Sequence, residues 1–435
     1  MARRRHGALR RDGRPQHNNR AMSDTTALWN ATLIDGTGRD PQPGMAVVVE
    51  GERITRVAAS DSFKPPRDAD KIDLGGLCLM PGLTDAHTHL GIVGTDMAEA
   101  KVEPAGILAL RIAKVIEETL DAGFTTVRDG GGIDGGWAHA VSSGLLRGPR
   151  ILASGAMISQ TGGHGDWRPR FSDDPPRQTV PGLFAFPELC DSPAAVRRAA
   201  REQLRRGATQ IKVMASGGAM SPTDELEHSQ FTIEELRAAV EVAEAADTYV
   251  LAHAYAPPAI RNALEAGVTS IEHGNFLDEE TAAAIKSKNA WLVPTLATYE
   301  LIDRFGEAGG VPETNLRKIR QAKARGEEAL RIAQDAGLQI GSGSDLLGPM
   351  QPMKTTELTL KSAVIGVMPA IVSATQSNAR LFRMEERIGT VEEGKWADLI
   401  AVQGNPIDDI TVLEPAENVR LVRKQGIVVK RLPSP

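Results

Sequence analysis

Four histidines, one lysine and one aspartate carry the chemistry this sequence offers: His87 and His89 in PGLTDAHTH, Lys212 in QIKVMASGG, His253 in LAHAY, His273 in IEHG and Asp345 in GSGSD. Imidazole and carboxylate groups are ligands for divalent ions of the zinc, cobalt and manganese type. Each of the six follows a short β-branched or apolar run, which puts it at the end of a predicted strand. His87 and His89 are two residues apart, so on a strand both project to one side. Buried there, two imidazoles need a metal or a proton partner; on a surface they need neither. Lys212 also has two readings. At a sheet edge it would snorkel to solvent. Among metal ligands its ammonium would be repelled, so it would have to be neutral or chemically altered. One histidine on an apolar strand reads as a core residue, but His253 and His273 at successive strand ends fit that reading poorly. Asp345 reads either as a metal-binding carboxylate that moves a proton or as a helix N-cap.

Other residues are candidates for contact with a substrate. His164 lies in SQTGGHGD, a glycine-rich loop after the third strand, where it either reaches the mouth or sits in a solvated turn. Tyr255, two after His253, points to the same side if the strand continues. The segment SGGAMSPTDELEHSQFT is a long loop after strand four, reads as a lid, and carries His228. His164, Tyr255 and His228 are thus candidate substrate-binding residues, and Asp345, His164 and Tyr255 candidate catalytic ones. Arg128 and Asp129 read as a structural pair, and Asp85 as a residue that orients the strand end.

The elements that must position these groups follow from periodicity. Strands are predicted to end near His87, Arg128, Gly155, Val213, His253, His273, Pro294 and Asp345. Amphipathic helices lie between them: Pro104 opens one that Gly123 ends, and another runs from Asn315 to Gly337. Ser192 with Pro193, Thr232 with Glu235, and Asp278 supply start signals. Eight β/α units in series predict an α/β fold, a closed (β/α)8 TIM-like barrel over residues 81–384 with its chemistry at the strand C-termini. Residues 27–80 and 385–435 show short alternating runs broken by Gly, Asp and Pro, which predicts a small β-sandwich domain built from both termini. GGGIDGG at 130–136 follows the second strand, not the first, and reads as a loop at the barrel mouth rather than a dinucleotide fingerprint.

Composition narrows the function classes. At 435 residues and 41% apolar the chain is long enough for one large and one small domain. A net charge of −6 argues against a nucleic-acid partner. No apolar stretch approaches the ~20 residues that span a bilayer, so no membrane partner is expected. Two cysteines, Cys78 and Cys190, make no disulfide framework and suit a reducing cytoplasm. Residues 1–26 are arginine-rich without an apolar run. They read as a disordered basic extension, and His6 and His17 within it as non-ligands.

At these motifs the chain resembles the amidohydrolase superfamily, binuclear type, from about Trp29 to the C-terminus. PGLTDAHTH is similar to the family pattern PGxxDxHxH, and SATQSNARLFRMEERIGTVEEGKWADLIAVQGNP looks like the family's return into the small β domain. TTVRDGGG, SQTGGHGD, KVMASGG and AHAY most resemble the prolidase-like branch, with its Xaa-Pro dipeptidases, N-acyl amino acid carboxypeptidases and ochratoxin-hydrolysing amidohydrolases.

The resemblance implies two divalent metal ions, zinc foremost. His87, His89 and Asp345 would hold one, His253 and His273 the other. Lys212, carboxylated by carbon dioxide to a carbamate, would bridge them together with a hydroxide. That hydroxide would attack the amide carbonyl, polarised in part by the residue matching His164, while Tyr255 meets the substrate near its carboxylate and Asp345 carries the proton. The implied substrates are small-molecule amides with a free carboxylate, such as ochratoxin A cleaved to ochratoxin α and phenylalanine. A homo-oligomer, up to an octamer, is the implied assembly. Three other readings stand beside this one. A deaminase or imidazolonepropionase-like hydrolase typically uses one metal and needs no lysine on strand four. A dihydroorotase-like or hydantoinase-like cyclic amidase shares the lysine. A non-catalytic scaffold homologue usually loses ligands.

Overall fold

The computed structural model describes residues 25–62, 64–95, 103–178 and 180–433. His6, His17 and most of the basic segment lie outside them. Five strands open the described chain: β1 (Thr25–Leu33), β2 (Gln42–Glu50), β3 (Arg53–Ala59), β4 (Asp70–Asp73) and β5 (Cys78–Pro81). Strands then alternate with helices: β6 (Leu83–Thr88), α1 (Ala105–Asp121), β7 (Phe124–Asp129), α2 (Gly135–Ser142), β8 (Arg150–Ala153), β9 (Ile158–Ser159), β10 (Glu188–Leu189), α3 (Pro193–Arg205), β11 (Ile211–Met214), α4 (Ile233–Glu244), β12 (Val250–Ala254), α5 (Pro257–Ala266), β13 (Ser270–His273), α6 (Glu279–Ser287), β14 (Trp291–Val293), α7 (Leu296–Phe305), α8 (Glu313–Asp335) and β15 (Gln339–Ile340). The helices α9 (Thr356–Ile365), α10 (Val367–Val372) and α11 (Asn378–Leu381) follow, and β16 (Leu399–Val402), β17 (Val419–Lys424) and β18 (Ile427–Arg431) end the order.

The helix starts follow their local signals. Ser192 accepts from the Ala195 amide ahead of α3, Thr232 and Glu235 form a capping box at α4, and Asp278 accepts from the Thr281 amide at α6. β1 begins at Thr25 and so takes in the last two residues of the expected extension.

Strands from both ends of the chain join in one eight-stranded sheet, ordered β18-β17-β16-β5-β1-β2-β3 with β4 on β1. Their pairing does not divide them into the two layers of a sandwich. β16 serves two cores by simple alternation. Leu399 and Ala401 pack with Leu28, Val47 and Ile54, while Ile400 and Val402 pack with Ile112, Ile116 and Leu120 of α1.

The middle strands pair in parallel, as three (β6-β7-β8) and as seven (β10-β9-β11-β12-β13-β14-β15). Main-chain hydrogen bonds cross both gaps between these sheets. The Thr209 amide donates to the Ala153 carbonyl (2.9 Å), the Ala86 amide to Ser342 (2.8 Å), and the Asp345 amide to His87 (2.8 Å). Val213, Ala252, Ile271 and Leu292 pack with residues of the surrounding helices. Lys212, His253 and Glu272 therefore face the opposite side, towards one another.

Among the described residues no helix is long and apolar enough to cross a membrane. Cys78 and Cys190 are buried and unpaired, and burial pushes their thiols up to about 11 and about 12. They are inert at neutral pH, as read.

Candidate active site

The strand ends bring all six residues of the first motif set to one place. His89 Nε2 lies 3.2 Å from Asp345 Oδ1, His87 Nε2 3.6 Å from the same atom, and His273 Nδ1 3.9 Å from Asp345 Oδ2. Lys212 Nζ is 3.3 Å from His87 Nε2. The ring centroids of His253 and His273 are 4.4 Å apart, and those of His87 and His273 4.9 Å. Strict alternation would send His273 outward with Ile271. A left-handed φ of 74° breaks the alternation and turns its ring into the site. Asp345 is likewise left-handed, at φ 52°. It sits five residues past the two-residue β15, and Asp85 fixes that segment. One oxygen of Asp85 accepts from the His87 and Ser344 amides (both 3.0 Å), the other from the Ser344 hydroxyl (2.5 Å).

Each histidine has one nitrogen committed to a fixed partner; a carboxylate or carbonyl sets the tautomer of three, and Thr295, whose own proton goes to Tyr299, sets that of His273. His87 Nδ1 donates to Glu272 (2.7 Å), His89 Nδ1 to the Gly131 carbonyl (2.8 Å), His253 Nε2 to the Gly217 carbonyl (3.0 Å) and His273 Nδ1 to Thr295 Oγ1 (2.8 Å). The other nitrogen of each ring then carries a lone pair, as a metal ligand must. His273 Nε2 is buried without any hydrogen-bond partner. Such an orphan costs about 1–3 kcal/mol unless something else meets it. His87, His273 and Asp345 offer ligand atoms that all lie within 4.8 Å of one another. The donor set therefore fits divalent ions.

Burial and facing charges tune the groups. Burial, then the Lys212 ammonium, holds the His87 imidazole well below its usual value. Burial lowers the His273 imidazole to about 3 and the Lys212 ammonium to about 8. For Asp345 burial acts upward, but His87, His89 and His273 outweigh it and keep the carboxyl below its ordinary range.

Of the substrate-contact candidates, two are in the cleft and one is not. His164 stacks on His253 with centroids 4.3 Å apart, and its Nδ1 lies 2.8 Å from Ser221 Oγ. The Ser221 hydroxyl donates to Asp224, so His164 Nδ1 must be the donor and Nε2 of the neutral ring an acceptor. A donor role towards a carbonyl would require the imidazolium, which burial opposes by lowering the ring to about 4. Tyr255 is buried beside His253 and His273. His228 is exposed, accepts from the Glu225 amide (3.3 Å), and lies outside the cleft. The loop that carries it is not a free lid. Lys318 of α8 donates to the carbonyls of Gly218, Ser221 and Asp224, and Asn315 to those of Ala219 and Ser221.

Other residues of the site were misassigned or missed by the sequence reading. Arg128 does not pair with Asp129. It makes a bidentate contact with Glu272 (2.8 and 2.9 Å), fully buried. Asp129 instead accepts from the Leu90 and Gly131 amides and holds the turn after His89. Tyr299 and Trp167 complete the walls of a cleft of about 550 Å³, mouth included, with Met157, Ile302 and Leu347.

This chain matches the amidohydrolase family model over residues 78–429 and belongs to that family. It is a hydrolase of the prolidase-like branch. It is 33% identical to ochratoxinase of Aspergillus niger over 431 residues, covering 93% of this chain and 86% of the relative. A solved prolidase complexed with N-methylphosphonate-L-proline is similar at 39% identity and TM-score 0.90, covering 94% of this chain and 100% of the other. A Xaa-Pro dipeptidase with bound methionine is similar at 32% identity and TM-score 0.84, covering 93% and 100%.

Proposed function

We propose that the chain hydrolyses the amide bond of N-acyl amino acids or dipeptides with a free α-carboxylate, ochratoxin A among them. We propose further that its β/α units close as a (β/α)8 barrel around a two-metal centre, a reading the hydrogen bonds across both sheet gaps support. The observation that carries the function is the set of four converging imidazoles with fixed tautomers beside Asp345 and Lys212. His87, His89 and Asp345 would hold one ion and His253 and His273 the other, with Lys212 between them as a carbamate; zinc suits these ligands.

Bound divalent ions supply a Lewis acid for the carbonyl and water acidic enough to ionise near neutral pH. The protein groups supply the rest. Asp345, held anionic by its histidines, takes up a proton on its carboxylate and returns it to the leaving nitrogen. An amide needs that step because an amine anion leaves poorly. Tyr255 offers a hydroxyl to an anionic oxygen of the substrate. Glu272 keeps His87 in its tautomer, and the apolar walls exclude water. The names of the similar proteins, a prolidase, a Xaa-Pro dipeptidase and an ochratoxinase, support carboxylate-bearing amides as substrates.

The test is a hydrolysis screen over N-acyl amino acids, Xaa-Pro dipeptides and ochratoxin A, read by mass spectrometry, with each substrate also supplied as its C-terminal amide. Losing a hydrogen bond to a charged group costs about 1.5–3 kcal/mol, so amidation should lower kcat/KM by about one to two decades. Equal rates for acid and amide would point to a cyclic amide or a deaminase substrate instead.

A further inference from the structure

Among the described residues that line the cleft, Lys212 is the single lysine or arginine, and it faces His87. Within that described lining, what a substrate carboxylate can meet besides Lys212 is a neutral donor. Tyr255 is one such donor only if its proton is free.

A chain of hydrogen bonds from the end of β13, through the start of α7, to the residue after β12 decides this. His273 Nδ1 donates to Thr295 Oγ1 at 2.8 Å. The Thr295 hydroxyl donates its own proton to Tyr299 Oη, at a longer 3.5 Å, and so accepts from His273. Tyr299 Oη in turn donates to Tyr255 Oη at 2.9 Å. The Ala219 amide also faces the Tyr255 oxygen. A phenol has one proton and two lone pairs, and here the lone pairs are engaged. Both phenols are buried, Tyr255 at 3% and Tyr299 at 1% exposure, so water does not compete for these bonds.

We propose that Tyr299 is a positioning residue: it donates to Tyr255 and so directs the Tyr255 hydroxyl proton into the cleft, as the neutral donor to the substrate's carboxylate. This rests on the function proposed above. The same chain begins at His273, so the arrangement that leaves His273 Nε2 as a lone pair also polarises Tyr255 outward. One direction of proton donation serves both ends.

The test compares Tyr255→Phe, Tyr299→Phe and the double variant on N-benzoyl-L-phenylalanine and its C-terminal amide, with metal content and thermal unfolding measured alongside. Tyr299→Phe should raise KM for the free acid about tenfold, with a smaller effect on kcat, and should raise KM for the amide substrate less, so that the acid-to-amide ratio of kcat/KM falls. The double variant should be no worse than Tyr255→Phe, because both changes remove one interaction. If Tyr255→Phe weakens the acid but Tyr299→Phe leaves KM unchanged or lower, the proton runs from Tyr255 to Tyr299 and the inference is overturned. If Tyr255→Phe itself leaves the acid-to-amide ratio unchanged, the assignment of Tyr255 to the carboxylate fails, and the inference fails with it.

Discussion

Glu272 is the buried carboxylate that fixes the His87 ring from behind. Its carboxylate accepts from Arg128, from Ser270 Oγ and from His87 Nδ1, all buried. An amide there would meet three donor groups with only one oxygen. Glu272→Gln is therefore predicted to release the His87 tautomer and weaken metal retention about 10- to 100-fold, read by chelator competition. Retention equal to the wild type would show that Glu272 does not set that ring. That the six residues of the first motif set belong together was legible in the sequence because histidines and a lysine are rare at the ends of apolar strands. Glu272 was not, because Glu and His adjacent in IEHG look like one motif when only an inward-facing carboxylate can reach Arg128. Pairing Arg128 with Asp129 failed for a related reason: neighbours on a strand point to opposite faces.

At the scale of elements, helix starts and most strand ends were legible from local chemistry, but β15 stops at Ile340, five residues short of the expected end at Asp345, and the state of the loop from Ala215 to Phe231 was not legible. Its anchors, Asn315 and Lys318, arrive on α8 about a hundred residues later, a contact with no local signature. Lys318→Met would leave the carbonyls of Gly218, Ser221 and Asp224 without this donor, at roughly 1–3 kcal/mol for each one that stays buried and unsatisfied. The predicted outcome is a lower Tm, new cleavage between residues 217 and 228 in limited proteolysis, and reduced kcat/KM as Ser221 no longer holds His164. A cleavage pattern and Tm like those of the wild type would mean that the loop is held by its own Asp224 and Gln230 contacts.

At the scale of the whole molecule, the two chain ends and the central β/α run depend on one another through β16. Alternation in LIAV showed that both faces are buried, but not which strands it joins, so the single eight-stranded sheet was not legible. Ile400→Asp would put a carboxylate against Ile116 and Leu120 of α1, and it is predicted to destabilise both parts in one transition of lower Tm. Two separate transitions, with only one shifted, would show that the parts fold independently. Two ions in one centre hydrolysing an amide is the claim with the widest reach, and metal titration tests it most directly. Protein stripped with a chelator should be inactive towards an N-acyl amino acid, and stepwise zinc should restore turnover to a plateau at two ions per chain. Full turnover without metal, or a plateau reached at one ion, would contradict it.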